Sequence, residues 1–286
     1  MDNISFEERK SHVLQIVRRY FPSIRQDNFQ NLFKLSLLKV VCLTRNRSRP
    51  KKIRNFLMML FHLKHYLPIR AACILFDIEK SRYDQIINME IKDFVETHAS
   101  NYFRIHTREE QNNLPEFPHT FMIVDSTEIL IEAFHKQSFS GKKYNFTIKY
   151  QLLVGSLTGE IFHVHGPELG SVHDATIWRN SGVSDFLRNE NETVLGDKGY
   201  CGCSGVIHPI KKKTHPLTKS KIPFTQAELE RNHNISKYRI LIENVNSWIK
   251  DWSILSTIYR GELDSHPQIF LTCCILTTMT SEHFNF

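Results

Sequence analysis

Two short apolar runs in this sequence each stop at an aspartate. Phe121–Val124 is followed by Asp125, and Val194–Gly196 is followed by Asp197. Residues 146–164 lie between them and contain a strictly alternating apolar segment, a Ser-Leu-Thr-Gly-Glu turn and a second apolar run, which together predict a β-hairpin. Because α/β sheets place ligand-handling residues at the carboxyl ends of their strands, this order predicts an α/β domain whose two aspartates lie close together.

Carboxylates held close together have a restricted chemistry. Two such groups repel each other, and the pair persists only when a proton or a divalent cation neutralises it. Oxygen ligands alone favour Mg²⁺ or Mn²⁺ over Zn²⁺. Two of these ions about 3.5–4 Å apart can activate a water and stabilise the oxygen that leaves a phosphodiester. We therefore expect a divalent-metal site at Asp125 and Asp197.

A third carboxylate is expected from a helix near the carboxyl end of the chain. The segment 238–250 has helical periodicity and contains Glu243, and a capping box that begins at Thr225 precedes it. Arg239 lies four residues before Glu243, and Lys250 lies two turns after it, so all three share one side of the helix. This arrangement predicts a third acidic ligand beside basic side chains that can contact phosphate.

The first 110 residues differ from the rest of the chain in charge. They contain 20 Lys and Arg against 12 Asp and Glu, a net charge of +8, whereas residues 111–286 carry a net charge of −1. Six of the ten residues in Arg45–Arg54 are basic, a density typical of phosphate-binding patches and nuclear-targeting signals. We therefore predict a basic DNA-binding region at 1–110 and a catalytic domain at 111–286. Chance variation in charge is the alternative.

Helical spacing in the amino-terminal region predicts a helix-turn-helix. Apolar residues recur at helical intervals in 53–66, in a second helix that begins at Pro68, and in a third helix that follows Ser81. Ser81 and Asp84 have the spacing of a capping box. Arg82 then lies where a recognition helix first meets DNA. A plain three-helix bundle fits the same pattern almost as well.

Further basic side chains are candidates for DNA contact. The predicted hairpin carries three lysines on or beside it, including Lys149, for which a solvated edge is expected and a phosphate contact is the alternative. A run of three lysines that starts at Lys211 predicts an exposed basic loop. The candidates for DNA contact are Arg82, Lys142, Lys143, Lys211, Lys212, Lys213, Arg239 and Lys250.

Five collinear segments resemble the DDE-type transposase domain of the PIF/Harbinger group, which includes the Harbinger transposase-derived nucleases. They follow the order and spacing of that family and span most of the chain after residue 124. The segments are VDSTE at 124–128, SFSGKKYNFTIKYQLLV at 138–154, GSVHDATIW at 170–178, LGDKGY at 195–200 and RILIENVNSWIK at 239–250.

The resemblance implies a fold, a reaction and a set of site residues. The implied α/β fold is an RNase H-like catalytic domain, with a mixed sheet flanked by helices, preceded by an all-α region that resembles a helix-turn-helix. The implied activity is that of a divalent-metal-dependent DNA endonuclease or transposase, which hydrolyses phosphodiester bonds by a two-metal mechanism and reuses the site for strand transfer. The implied catalytic residues are Asp125, Asp197 and Glu243. These three and Asp174 are the implied ligands of Mg²⁺ or Mn²⁺.

Partners and location are implied by the same resemblance. Double-stranded DNA is the implied substrate, and a Myb-like protein is the implied partner in nuclear import and end recognition. A nuclear location with a cytoplasmic pool is expected, and a homo-oligomer is compatible with it. No apolar run reaches the length of a membrane span. The sequence departs from the family at Leu276-Thr277-Thr278, where a Leu-His-Asn step is usual.

Two other function classes fit parts of the sequence. A domesticated DNA-binding protein with a vestigial nuclease site would explain the basic amino-terminal region. A metal-dependent phosphohydrolase of small substrates would explain the carboxylates. A small substrate needs no extended basic surface, and a vestigial site has no need to keep three acidic side chains. Both considerations favour the nuclease.

Overall fold

The chain forms two compact units in the computed structural model, which describes residues 5–22, 28–44, 50–103, 114–132, 136–187, 192–215, 217 and 219–280. The first unit comprises the described residues of 1–99, 250–257 and 261–280. The second comprises those of 100–249 and 258–260. The carboxyl-terminal helix therefore groups with the amino-terminal helices. The boundary predicted at residue 110 lies outside the described residues.

Helices dominate the first unit, and the strands belong to the second. The helices are α1 (Phe6–Tyr20), α2 (Phe29–Phe33), α3 (Leu37–Leu43), α4 (Pro50–His65), α5 (Ile69–Phe76), α6 (Lys80–Tyr102), α7 (Asp174–Asn180), α8 (Gln226–Lys250), α9 (Ser253–Ser256) and α10 (His266–Thr280). The strands are β1 (Thr120–Leu130), β2 (Phe139–Ser140), β3 (Asn145–Gly155), β4 (Ile161–Leu169), β5 (Thr193–Leu195) and β6 (Val206–Ile207).

The three helices predicted after residue 53 are present as α4, α5 and α6. The predicted start of the third helix is wrong, because α6 begins at Lys80 and Ser81 lies inside it rather than at its cap. Of the basic run Arg45–Arg54, residues 45–49 lie outside the described part, and the rest forms the first turn of α4. The Thr277 hydroxyl, at the departure from the Leu-His-Asn step, accepts a hydrogen bond from the buried Trp252 indole at 3.1 Å.

The sheet of the second unit is mixed, as predicted. Its strand order is β2-β3-β1-β5-β6, with β4 paired to β3. Strands β1 and β3 are antiparallel, whereas β1, β5 and β6 run parallel to one another. The sequence predicted that this strand stops at Asp125. Strand β1 instead continues to Leu130, because its second half stays paired with β3 as far as Thr147. Asp125 therefore lies in the middle of a long strand.

Helices cover the sheet and bury side chains on both sides of β3. Ala175 and Trp178 of α7 form one core cluster with β-strand residues that include Met122 and Leu153. Helix α8 contributes its own buried apolar side chains, among them Ile242. Within the described residues, no helix is both long enough and apolar enough to cross a membrane.

Candidate active site

The register of two parallel strands sets the positions of Asp125 and Asp197. Strands β1 and β5 are neighbours, and Ile123 pairs with Leu195. Each aspartate follows its member of that pair by two residues, so both lie at the same level along the two strands. Strand β5 ends there, and Asp197 caps the short 3₁₀ turn that follows. The two carboxylates lie together because β1 and β5 run in the same direction, so that equivalent positions after the paired residues are neighbours.

Asp125 is a largely buried carboxylate, with 20% of its side chain exposed. Its Oδ2 accepts a hydrogen bond from the Asn246 amide of α8 at 3.0 Å, and its Oδ1 lies 4.0 Å from a guanidinium nitrogen of Arg239. Burial, together with the nearby charges of Asp197 and Asp174, raises the pKa of Asp125 to about 6 against the opposing effect of Arg239. The three aspartates therefore repel one another at neutral pH.

Gly199 holds the second and third aspartates close to one point. Its backbone N–H donates to Asp197 Oδ1 at 2.6 Å. A Cβ at position 199 would lie 2.8 Å from that oxygen and 2.9 Å from Asp174 Oδ2. Any larger residue would push against both carboxylates, so glycine is required by close approach. Asp174 reaches this point from the first turn of α7.

Lys149 of β3 stands between Asp174 and a second acidic side chain. Its ammonium lies 3.6 Å from Asp174 Oδ1 and 3.9 Å from Glu128 Oε1, and it donates to the Val172 carbonyl at 2.8 Å. Only 12% of the Lys149 side chain is exposed. The expectation that Lys149 forms a solvated edge is therefore wrong, because helix α7 and the loop before it cover that face of β3. The Asp174 Oδ1 atom is buried without a hydrogen-bond partner.

Glu243 is linked to the aspartates through Arg239, which pairs with both Glu243 and Asp125. It is exposed over 59% of its side chain, and its Oε1 is 3.7 Å from Arg239, one turn earlier on α8. Arg239 thus bridges Glu243 and Asp125, while the side chain of α8 that hydrogen-bonds Asp125 is Asn246. The structure brings Asp125, Asp174, Asp197 and Arg239 together, and it leaves Glu243 at the rim.

The other predicted DNA contacts are spread over the chain. Arg82 is exposed on α6 of the first unit, where it donates to Gln85. Lys250 ends α8 and is partly exposed. The two lysines at 142–143 lie in the exposed turn between β2 and β3. Those at 211–213 lie in an exposed loop before α8.

Two side chains of the site were not predicted from the sequence. Lys149 occupies an outward position in the alternating pattern of β3, where a lysine ordinarily faces solvent. Asn246 follows Glu243 by three residues and therefore lies on the same side of α8. The signal that could have identified Asn246 is this i, i+3 spacing, since the helix face that carries a ligand often carries its hydrogen-bonding support. No comparable signal exists for Lys149.

The donor chemistry of this cluster fits a hard divalent cation. Its acidic groups offer only oxygen atoms, one of them buried without a hydrogen bond. Burial, and to a lesser extent the neighbouring aspartates, raises the pKa of Asp125, and a cation would favour the charged form. Over the part of the chain that the structure describes, no three His, Cys, Asp or Glu side chains converge tightly enough to hold a metal ion as they stand. The aspartates are therefore neighbours that would have to draw together around an ion.

Comparisons with known proteins identify the family to which the chain belongs. The family model of the DDE superfamily endonucleases matches residues 124–278, from β1 to α10. A probable transposase for insertion sequence element IS702 of Microchaete diplosiphon is 32% identical over 169 residues, which are 57% of this chain and 58% of that relative. The chain thus aligns with little more than half the length of the relative. No solved structure matches the chain. Since the family match covers more than half of the sequence and contains all four acidic residues, the chain belongs to the DDE superfamily of endonucleases.

Proposed function

We propose that this protein is a divalent-metal-dependent DNA endonuclease of the transposase type. The observation that carries the proposal is the equal register of Asp125 and Asp197 on neighbouring parallel strands, with Asp174 beside them at Gly199. An all-oxygen donor set at such an edge favours Mg²⁺ or Mn²⁺. When bound, these ions supply Lewis acidity, which activates water and stabilises the departing 3′ oxygen of a phosphodiester.

The chain's own residues have distinct roles in this proposal. Asp125, Asp174 and Asp197 would hold the metal, with Glu243 as a further ligand. The Asn246 amide orients Asp125 through Oδ2, while Oδ1, which lies 4.0 Å from Arg239, would face the cation. Arg239 is an always-charged group beside the cluster, and it would bind the DNA phosphate. A phosphate that engages Arg239 would release Glu243 from its ion pair, so that substrate binding and completion of the acidic site would be coupled.

Nicking of supercoiled plasmid tests the proposal. We expect wild-type protein to convert the plasmid to open circles with Mn²⁺ or Mg²⁺ and to leave it intact with EDTA. Asp197→Asn should abolish the reaction, because it removes one of the two register-matched carboxylates. Glu230→Gln is the matched control, since Glu230 is an exposed acid on α8 away from the cluster. Metal-independent nicking, or an unchanged rate for Asp197→Asn, would contradict the assignment.

The amino-terminal region supplies the second half of the proposal. We propose that residues 1–110 form the DNA-binding part, with Arg82 on a helix-turn-helix, and that residues 111–286 carry the chemistry. Support comes from the net charge of +8 in the first part and from the succession of α4, α5 and α6. Binding to duplex DNA should then weaken steeply with salt, because phosphate contacts release counterions. Salt-independent binding would contradict this division.

The finer family assignment and the cellular setting are proposals on the same footing. The five motifs support membership of the PIF/Harbinger group, with a Myb-like partner protein and strand transfer at the same site. The basic run at Arg45–Arg54 supports a nuclear location. A fluorescent fusion whose nuclear signal is lost when the run is replaced by neutral residues would support that location, and an unchanged distribution would contradict it.

A further inference from the structure

We propose that Lys149 is a positioning residue that fixes the Asp174 carboxylate for cation binding, and this inference rests on the function proposed above. The function proposed above gives Lys149 no role. Its contact with the proposed metal ligands is the ion pair with Asp174. Its ammonium contacts one acid at each of two separate elements and also a backbone carbonyl. The carbonyl contact is a hydrogen bond, and the two acids face the same ammonium as ion pairs at 3.6 and 3.9 Å.

One side of this arrangement is anchored in the sheet. Glu128 lies on β1, opposite Lys149 in the antiparallel register, and only 7% of its side chain is exposed. Its Oε2 accepts a hydrogen bond from the Thr147 hydroxyl at 2.9 Å, while its Oε1 faces Lys149 at 3.9 Å. Since Glu128, Thr147 and Lys149 all belong to paired strands, the ammonium starts from a rigid base.

The other side reaches the loop that carries Asp174. Lys149 donates to the Val172 carbonyl at 2.8 Å, two residues before Asp174. Gly170 brings this loop onto β3, because its N–H donates to the Thr147 carbonyl at 2.9 Å and a Cβ there would lie 2.2 Å from the Thr147 hydroxyl. The loop is therefore pinned to the same strand at two points, and Lys149 is the point nearest to the acid.

The contacts of Asp174 indicate that Lys149 sets the orientation of its carboxylate. Its Oδ1 has the ammonium at 3.6 Å and no hydrogen bond, while its Oδ2 points to Gly199 and to Asp197 beyond. The ammonium therefore draws Oδ1 towards β3 and leaves Oδ2 on the side of the other aspartates. Without the ammonium, nothing described around Oδ1 would hold the carboxylate against repulsion from its acidic neighbours.

Two possible roles of Lys149, a simple counter-charge for Asp174 and a positioning residue, predict opposite changes in cation affinity when the lysine is removed. If Lys149 merely neutralised Asp174, its removal would make the site more negative and tighten the binding of Mn²⁺. If Lys149 positions Asp174, its removal lets the carboxylate turn away and weakens that binding. The two readings are therefore separated by the sign of one measured change in affinity.

Calorimetric titration of the DNA-free protein with Mn²⁺ measures that sign. We expect Lys149→Met to weaken Mn²⁺ binding about tenfold and Lys149→Arg to restore it to within a few-fold, because arginine keeps the charge and donors. Lys136→Met is the control, since Lys136 is an exposed lysine of the same unit. Unchanged or tighter binding by Lys149→Met would overturn the proposal. If Lys149→Met does not fold, Lys149→Gln replaces it, with the same expected weakening.

A double-mutant cycle tests whether Lys149 acts through Asp174. Asp174→Asn should weaken Mn²⁺ binding, and adding Lys149→Met to it should weaken binding no further. A second loss as large as the first would show that Lys149 acts elsewhere, and it would overturn the proposal. Wild-type protein that binds no Mn²⁺ would instead overturn the proposed function, whereas normal wild-type binding with an indifferent Lys149→Met would overturn only the role of the lysine.

Discussion

Replacing Asp125 with asparagine should make the metal-free protein more stable above pH 6. Burial raises the pKa of this carboxyl from its ordinary value of 3.8 to about 6, in spite of the attraction of Arg239. The folded state therefore holds a carboxylate in a place that disfavours its charge. A difference of about two pKa units corresponds to about 3 kcal/mol in the free energy of unfolding.

The direction of the pH dependence follows from the order of the two pKa values. Below about pH 3.8 the carboxyl is protonated in the folded and unfolded states alike, so it costs nothing. Between about 3.8 and 6 the folded state keeps a proton that the unfolded chain has lost, and the cost grows with pH. Above pH 6 the cost is constant. Asparagine cannot ionise, and the pKa of about 6 already includes the attraction of Arg239, so we expect a net gain of about 3 kcal/mol at neutral pH.

Urea unfolding of both proteins in EDTA, from about pH 4 to pH 8, measures this gain. The free-energy difference between Asp125→Asn and wild type should open between pH 4 and 6 and stay level above that range. Asp93→Asn is the matched control, because Asp93 is exposed on α6 and should change stability by less than about 0.5 kcal/mol at every pH. An Asp125→Asn variant that is no more stable at neutral pH, or whose gain is equally large at pH 4, would show that burial does not penalise the charge of this carboxylate.

Two further substitutions test the geometry around the same carboxylates. Gly199→Ala should lower the Mn²⁺-dependent rate of plasmid nicking at least tenfold, because its methyl group would lie 2.8–2.9 Å from two carboxylate oxygens; a wild-type rate would mean that these oxygens are not held where the structure has them. Asn246→Leu should lower the free energy of unfolding by about 1–3 kcal/mol in urea at neutral pH, because it removes the 3.0 Å hydrogen bond to Asp125. No loss of stability would show that this bond contributes nothing.

Local signals in the sequence predicted the elements that depend on neighbouring residues. The capping box at Thr225 forms as expected, since its hydroxyl accepts from the Glu228 N–H at 3.2 Å and the Glu228 carboxylate accepts from the Thr225 N–H at 2.8 Å. The same reasoning failed at Ser81, where α6 starts one residue earlier. Both sequences offer the motif, and the position of a helix start is decided by the chain around it as well as by its capping residue.

Strand alternation predicted β3 but not its surroundings. The apolar residues at every second position predicted one buried face of the strand, and Lys149 on the other face was expected at a solvated edge. Thr147 and Gln151 are in fact buried, and Lys149 is nearly so. The reason is tertiary: α7 and its preceding loop cover the second face, and a period of two cannot report what another segment will place there.

Asp125 and Asp197 were predictable because each ends a recognisable apolar run, and Arg239 was predictable from its helical spacing to Glu243. The place of Lys149 was not predictable because it depends on tertiary contact. Arg239 lies between Asp125 and Glu243, and Lys149 lies between Asp174 and Glu128. Each cation is thus shared by two acids.

The two shared cations leave the metal-free cluster with a net negative charge. With Asp197 held by a backbone N–H, five carboxylates stand against two positive charges, so three negative charges are left at neutral pH. That surplus would repel a DNA phosphate on its own. On the proposed function, one divalent cation would remove most of this negative charge and two would reverse it, so metal binding would favour the approach of a DNA phosphate.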